Sequence, residues 1–148
     1  QTDVLLSIDT TRAAVARAAL DAGADLVNDT SALSADAALC EVVAESGCQV
    51  VLMQRFTPPR SARDDSDVVV AIIESLAQRI AYANDRGVDR TQIVVDPGLG
   101  FGTRADDVPV ICPPWQRLGP CDGDDWRPCR PVIHPDLDGP VILKTAAM

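Results

Sequence analysis

The chain has 148 residues, of which 47% are hydrophobic, so we expect one globular domain with a buried core rather than a disordered chain. Its formal net charge of −9 argues against nucleic acid or an anionic membrane as a partner, because both select basic surfaces. No apolar run is long enough to cross a bilayer and the five cysteines form no CxxC pair, so we expect no membrane span, no zinc site and a cytoplasmic location.

Strand patterns and helix patterns alternate along residues 4–102. In chain order they predict a strand at Val4–Ile8, a helix at Thr11–Ala22, a strand beginning at Leu26, a helix at Ala35–Ser46, a strand at Gln49–Met53, a loop at Gln54–Asp64, a helix at Asp67–Arg86 and a strand at Ile93–Val95. A glycine follows each predicted helix, as is typical at a helix C-terminus. The short turns between these elements imply parallel βα units.

Polar residues stand at the end of every predicted strand: Asp9-Thr10, Asn28-Asp29, Gln54-Arg55 and Asp96. This repetition favours a (β/α)8 barrel, in which the active site gathers at the C-terminal ends of the strands. A doubly wound sheet is the competing fold, but it would concentrate ligand contacts at one switch point and need fewer polar strand ends.

The first two strand ends carry polar side chains with two interpretations each. Asp9 could accept a bidentate pair of hydrogen bonds from an amidine-like edge, or it could cap the helix that begins near Thr11. Asn28 has donors and an acceptor suited to a heterocycle edge, although Asn28 and Asp29 are also typical turn and capping residues.

The third strand end offers one apolar and several basic candidates. Met53 is typical of core packing, but at a strand end it could also line the face of a flat ligand. Arg55, Arg60 and Arg63 in the following loop are the only clustered positive charges; they could meet phosphate or could simply be solvated.

The most informative stretch is Asp96–Gly102, which reads Asp-Pro-Gly-Leu-Gly-Phe-Gly directly after an apolar strand. Glycines allow positive φ and let the backbone approach a ligand closely. Asp96 is the strongest single candidate for binding, because no clear helical pattern follows for it to cap. Phe101 could cover a flat ligand. The glycine spacing matches neither a P-loop nor the GxGxxG fingerprint, so no nucleotide cofactor is predicted.

The composition changes after Gly102, and we predict a boundary between residues 1–104 and an irregular tail at residues 105–148. The tail carries eight of the eleven prolines, both tryptophans and the single histidine, His134, which receives no role. Val108–Ile111 and Val141–Leu143 could be short strands, and the rest of the tail is expected to be irregular coil. A shifted reading frame in a GC-rich gene is one hypothesis for this composition.

Four motifs follow one another along the chain: Ser7-Ile8-Asp9-Thr10, Leu26-Val27-Asn28-Asp29, Val50-Val51-Leu52-Met53 and Asp96–Gly102. Together they resemble the dihydropteroate synthases of folate biosynthesis, a family of pterin-binding (β/α)8 barrels. The resemblance covers about residues 4–102 and implies a partial barrel of four parallel βα units, equivalent to strands 3 to 6 of the family. Residues 1–104 are then a partial pterin-binding barrel domain.

The resemblance also implies a role for each matched residue. Asp9, Asn28 and Asp96 would hydrogen-bond the pterin ring, and Met53 and Phe101 would form apolar walls of its pocket. Family enzymes are transferases that join dihydropterin-CH2-diphosphate to 4-aminobenzoate and expel diphosphate. Mg²⁺ is the implied cofactor, although the strand that carries its ligand is absent here, and the generally dimeric family makes a homodimer the implied assembly.

The departures from the family imply reduced function. No Ser-Arg-Lys or Arg-x-His motif follows Gly102, and Lys144 lacks that context. Three residues differ from those usual in the family: Thr103 is found where the family usually has Lys, Gln54 where it has His, and Thr30 where it has an apolar residue. We therefore expect a fragment with weak pterin binding and little or no turnover. The alternatives are a methyltetrahydrofolate-binding methyltransferase of the same barrel group and a non-catalytic degenerate fragment.

Overall fold

The computed structural model describes residues 5–61 and 67–111 of the chain. Strands and helices alternate through these residues in the predicted order. Their bounds are β1 Ser7–Asp9, α1 Ala13–Asp21, β2 Leu26–Asp29, α2 Ala38–Ser46, β3 Gln49–Met53, α3 Val68–Asn84, β4 Ile93–Asp96 and α4 Val108–Ile111. Short 3-10 turns precede β4 and α4, at Arg90–Gln92 and Ala105–Asp107. None of the helices in residues 5–61 and 67–111 is both long and apolar enough to span a membrane.

The four strands form one parallel sheet in the order β1-β2-β3-β4. Ser7 pairs with Leu26 in the first ladder, and Leu26 pairs with Gln49 in the second. Sequential order with parallel pairing requires a crossover between each pair of strands, and α1, α2 and α3 supply the three crossovers. The predicted parallel βα units are therefore confirmed for the described residues.

The hydrophobic core lies between one face of the sheet and the helices. Alternate strand residues are buried on this face, and they pack with buried residues of all three crossover helices. The members contributed by β2 to β4 are Val27, Val50, Leu52, Ile93 and Val95. Since this face is filled by apolar side chains, the opposite face is the one available for polar chemistry.

The first two helices begin later than their sequence patterns predict, and one carboxylate stands at both starts. Asp36 Oδ2 accepts a hydrogen bond from the Ala13 N–H at 2.8 Å, and Asp36 Oδ1 accepts one from the Ala38 N–H at 3.2 Å. Ala13 and Ala38 open α1 and α2. Asp36 therefore satisfies exposed N–H groups at two helix N-termini and connects the helices there.

The prediction of a strand at Val108–Ile111 is wrong, because these residues form α4. The preceding turn explains the difference: Asp107 Oδ2 accepts the Arg104 N–H at 2.9 Å, and this local bond directs the chain into a helical turn. The β-branched residues there signalled a strand, but a strand needs a partner beside it. Val141–Leu143 and His134 lie outside the described residues, and the boundary after residue 104 stays a prediction.

Candidate functional site

Strand register brings four predicted site residues to one face of the sheet. Asp9 lies opposite Asn28 in the β1–β2 ladder. Met53 lies opposite Asp96 in the β3–β4 ladder. Asn28 also lies opposite Val51, two residues before Met53, so the alternation of side chains puts all four on the same face. This face is the one that does not pack on the helices, and the four residues lie at strand C-termini, where ligands of α/β proteins bind.

Asp9 and Asn28 contact each other at this edge. Asn28 Nδ2 donates to Asp9 Oδ2 at 3.1 Å, while Asp9 is exposed and Asn28 is half-buried. The alternative role of Asp9 as a helix cap is not realised, because Asp36 binds the first N–H of α1. Asp9 is thus a carboxylate that faces solvent beside an amide, which suits it to a ligand's N–H groups.

Of the two residues predicted as turn or capping residues, Asn28 and Asp29, it is Asp29 that makes the hydrogen bonds of the turn. Asp29 is fully buried, and its carboxylate accepts the Ser31 N–H, the Ser31 hydroxyl and the Leu33 N–H at 2.8, 2.7 and 2.7 Å. Ala32 and Leu33 have φ of 49° and 62°, in the left-handed region that residues with a Cβ avoid. Asp29 stabilises this strained loop from inside, which leaves Asn28 directed to the other face.

Asp96 and Met53 form the buried end of the same face. Asp96 is 8% exposed and Met53 is 4% exposed. Asp96 Oδ1 accepts the Gly98 N–H at 2.8 Å, and its carbonyl accepts the Gln54 N–H at 2.8 Å. A carboxylate in such a low-dielectric position gives strong, charge-assisted hydrogen bonds to a ligand.

The glycine-rich loop is packed tightly against the loop that follows β3. Gly98 has φ of 69°, and a Cβ there would overlap the carbonyl oxygen of Gln54. The Phe101 N–H donates to the Gly98 carbonyl at 3.0 Å, and the Phe101 carbonyl accepts the Phe56 N–H at 3.0 Å. The Phe101 backbone is held while the residue stays 37% exposed, so its ring is available to cover a ligand.

The three loop arginines were expected either to meet phosphate or to be solvated. Arg60 does neither, because it pairs with Asp107. Its side chain is 2% exposed, and Arg60 Nε lies 3.2 Å from Asp107 Oδ2. It is therefore neither solvated nor directed at a ligand phosphate. Arg55 is exposed, and Arg63 lies outside the described residues. Sequence reasoning missed this pair because its members are 47 residues apart and no local spacing connects them.

Gln54 was predicted only as a polar residue at a strand end, and the structure adds its burial and its partner. It is 8% exposed, and its Oε1 accepts the Ser75 hydroxyl of α3 at 2.5 Å. The residue directly after Met53 is therefore oriented by α3.

The charge state of Asp107 follows from its surroundings. Burial raises the pKa of this carboxyl, but hydrogen bonds from the Arg104 N–H and guanidinium, with the charges of Arg104 and Arg60, outweigh burial and leave the pKa below its ordinary value. The carboxylate is ionised at neutral pH. No group of three or more His, Cys, Asp or Glu side chains in the described part of the chain could hold a metal ion.

Comparison with known proteins gives one consistent family. A family model described as "Pterin binding enzyme" matches residues 1–111. The chain is 45% identical over 102 residues to the dihydropteroate synthase of Mycobacterium leprae, covering 66% of this chain and 36% of that protein. It is 43% identical over 103 residues to a probable bifunctional folylpolyglutamate synthase/dihydropteroate synthase of Haloferax volcanii, covering 68% of this chain and 12% of that protein. The chain thus spans about a third of the length of the first relative and about an eighth of the length of the second.

Solved structures agree with the sequence relatives. The Xanthomonas albilineans dihydropteroate synthase with 4-aminobenzoic acid superposes with a TM-score of 0.69 at 36% identity, covering 80% of this chain and 44% of that chain. The Anaplasma phagocytophilum enzyme with bound 6-hydroxymethylpterin-monophosphate gives a TM-score of 0.65 at 34% identity, covering 70% and 40%. These likenesses confirm the predicted fold class, four parallel βα units of a (β/α)8 barrel.

Proposed function

This chain belongs to the pterin binding enzyme family, and from that membership we propose that it forms the pterin-binding part of a dihydropteroate synthase. The proposed substrates are dihydropterin-CH2-diphosphate and 4-aminobenzoate, and the products are dihydropteroate and diphosphate. The observation that supports this most directly is the shared sheet face of Asp9, Asn28 and Asp96. Three polar side chains on one face at strand C-termini offer the hydrogen-bond donors and acceptors that the edge of a flat heterocycle could bind.

Pterin recognition would use the polar residues at the edge and the apolar residues on the ring faces. The aminopyrimidinone edge of a pterin presents adjacent N–H donors, and a carboxylate can accept two of them at once. Buried Asp96 is the best placed to do so, and Asn28, on the same sheet face two strands away, is able to donate and accept. Met53 and Phe101 would contact the faces of the ring, since one is buried next to Asp96 and the other is partly exposed in the loop that follows Asp96.

The carboxylates would also serve the chemical step. In the proposed substitution, the C–O bond to diphosphate breaks with its electron pair on the leaving oxygen, and positive charge develops on the pterin. The amine nitrogen of 4-aminobenzoate then forms the new C–N bond and releases a proton. Asp96 and Asp9, held before the reaction begins, would stabilise the developing positive charge electrostatically.

Mg²⁺ as the ion that neutralises the leaving diphosphate remains a proposal taken from the family. The described residues hold no cluster of three or more potential ligands, so we derive no step through a metal from them. Formation of a homodimer likewise stays a prediction.

The chain spans only 12% to 36% of the two curated relatives described above. We therefore expect the 148-residue chain to bind pterin weakly and to show little or no turnover. Detectable dihydropteroate formation by the purified chain would contradict this expectation.

Calorimetric titration with 6-hydroxymethylpterin monophosphate tests the pterin site. We expect binding by the chain, loss of about tenfold or more in affinity for Asp96→Asn, and no change for Asp85→Asn at the exposed end of α3. Preferential binding of methyltetrahydrofolate would favour the methyltransferase alternative. No binding of either compound by a chain whose thermal unfolding is cooperative would favour the non-catalytic alternative.

A further inference from the structure

Two loops meet beside the candidate site. We call residues 54–61, after β3, the β3 loop, and residues 97–107, after β4, the β4 loop. Three backbone hydrogen bonds run from the β3 loop to β4 and the β4 loop: from the N–H groups of Gln54, Phe56 and Arg60 to the carbonyls of Asp96, Phe101 and Gly102, at 2.8, 3.0 and 2.9 Å. Residues 54–60 are thus hydrogen-bonded to residues 96–102, although neither loop is a strand.

Two glycines of the β4 loop lie against the backbone of the β3 loop. A Cβ on Gly98 would overlap the Gln54 carbonyl oxygen, and a Cβ on Gly102 would lie 2.5 Å from the Phe56 carbonyl oxygen. Because the two backbones are in contact, movement of the β3 loop would displace the backbone that carries Phe101.

A buried ion pair also connects the β3 loop to the β4 loop. Asp107 receives Arg60 Nε from the β3 loop at 3.2 Å, and Arg104 Nη2 from the β4 loop at 3.2 Å. Arg104 Nη1 in turn donates to the Ser61 carbonyl at 3.1 Å. Side-chain exposures of 2% for Arg60 and 3% for Asp107 show that water is excluded from their contact.

A buried ion pair is a weak way to stabilise a fold, because apolar residues of similar volume often stabilise it as well or better. The pair instead fixes the relative orientation of the two residues, because the guanidinium and the carboxylate bind only in a narrow range of orientations. Arg60 and Asp107 lie in the two loops that border Met53 and Asp96, so their orientation sets the spacing of the loops around that end of the site.

We propose that Arg60 and Asp107 are positioning residues of the pterin site, which hold the β3 and β4 loops together and thereby set the backbone of Asp96, Gly98 and Phe101. Neither residue contacts the ligand in this proposal. The proposal rests on the proposed function for its ligand, but its structural part concerns the two loops alone.

The test uses the full 148-residue chain with variants Arg60→Met, Arg60→Lys and Asp107→Asn. The double variant Arg60→Met with Asp107→Leu replaces the pair by apolar side chains and separates fold stability from loop position. Arg17→Met is the matched control, since Arg17 pairs with Glu45 at 2.7 Å across α1 and α2 with side chains 54% and 63% exposed. The readouts are the Kd for 6-hydroxymethylpterin monophosphate and the hydrogen exchange of the Phe56 and Arg60 amides.

We expect Arg60→Met, Asp107→Asn and the double variant to raise Kd by about tenfold or more, since small displacements of binding groups are costly. Exchange at Phe56 and Arg60 should rise in the same variants, Arg60→Lys should recover part of both effects, and Arg17→Met should change neither. Because Asp107 also accepts the Arg104 N–H, the double variant should lose some melting temperature, and its Kd is measured where it remains folded.

An unchanged Kd and unchanged exchange in a folded Arg60→Met chain would overturn the proposal. So would a uniform rise of exchange that includes α1 and α2, because that result would indicate a structural role only. If the unaltered chain binds no pterin, the proposed function fails, while the exchange at Phe56 and Arg60 still decides whether the pair holds the loops.

Discussion

Asn28 donates from Nδ2 to Asp9 Oδ2 at 3.1 Å and so joins the C-terminal ends of two neighbouring strands on the face opposite the core. The bond is intramolecular, but it lies where a ligand edge would bind. It orients both side chains in advance, which lowers the entropy that a ligand must overcome.

Replacing Asn28 by Leu should weaken pterin binding while leaving the fold intact. The change removes the donor to Asp9 and the groups that would meet the heterocycle, and we expect Kd to rise by about tenfold. Calorimetric titration measures the Kd. The free energy of unfolding, from thermal denaturation, should change by less than about 1 kcal/mol. Asn84→Leu at the exposed end of α3 is the control, and equal losses of affinity in both variants would contradict a local effect.

Gly98→Ala should unfold far more easily than Gly100→Ala. Both glycines have positive φ, of 69° and 83°, so both variants suffer the backbone strain of a Cβ. Only Gly98 lies against backbone, at the Gln54 carbonyl, whereas nothing lies within 4 Å of a Cβ on Gly100. We expect losses of about 3 kcal/mol and about 1 kcal/mol in the free energy of unfolding, from denaturant titrations. Equal losses would show that the loops separate at little cost.

Asp29→Asn should be strongly destabilising because the carboxylate is fully buried and accepts three hydrogen bonds. An amide presents its NH2 group to one of these donors, so we expect a loss of about 3 kcal/mol in the free energy of unfolding. Asp89→Asn is a matched control, because Asp89 accepts the Thr91 N–H and hydroxyl in the same local pattern at an exposed position. The control should lose much less, and a similar loss in both would argue that burial is irrelevant.

Asp107 should make the stability of the chain sensitive to acid. Its pKa in the folded chain lies below the ordinary value of 3.8, so its contribution is complete above that value and is lost as pH falls through the lower folded-state pKa. The difference in unfolding free energy between the unaltered chain and Asp107→Asn should be constant from neutral pH to about pH 5 and should shrink below pH 4. A difference that grows on acidification would have the wrong sign for this explanation.

Much of the fold and part of the site could be predicted from the sequence, because the signals are local. Apolar runs predicted all four strands, and β3 has the predicted bounds of Gln49–Met53. Asp9, Asn28, Met53 and Asp96 were predicted together because each stands at a strand end, and parallel register then places them on one face. Their contacts with pterin stay a prediction.

Other features depended on partners distant in the chain. Asp36 binds the first amide of α1 from 23 residues away, which removes the capping role considered for Asp9. Arg60 and Asp107 are 47 residues apart, and only the packed loops show that the arginine belongs to the protein interior. Val108–Ile111 became a helix because its preceding turn is closed by Asp107.

The sequence by itself determined the alternation of strands and helices, the polar strand ends and the family, since periodicity and short motifs are properties of neighbouring residues. Tertiary structure alone decided which carboxylates serve the fold and which lie on the sheet face of the candidate site. Asp29 and Asn28 are adjacent, yet one is buried under a strained loop and the other meets Asp9 on the opposite face. The physical reason is that a side chain's role depends on its burial and partners, and these exist only once distant segments have packed together.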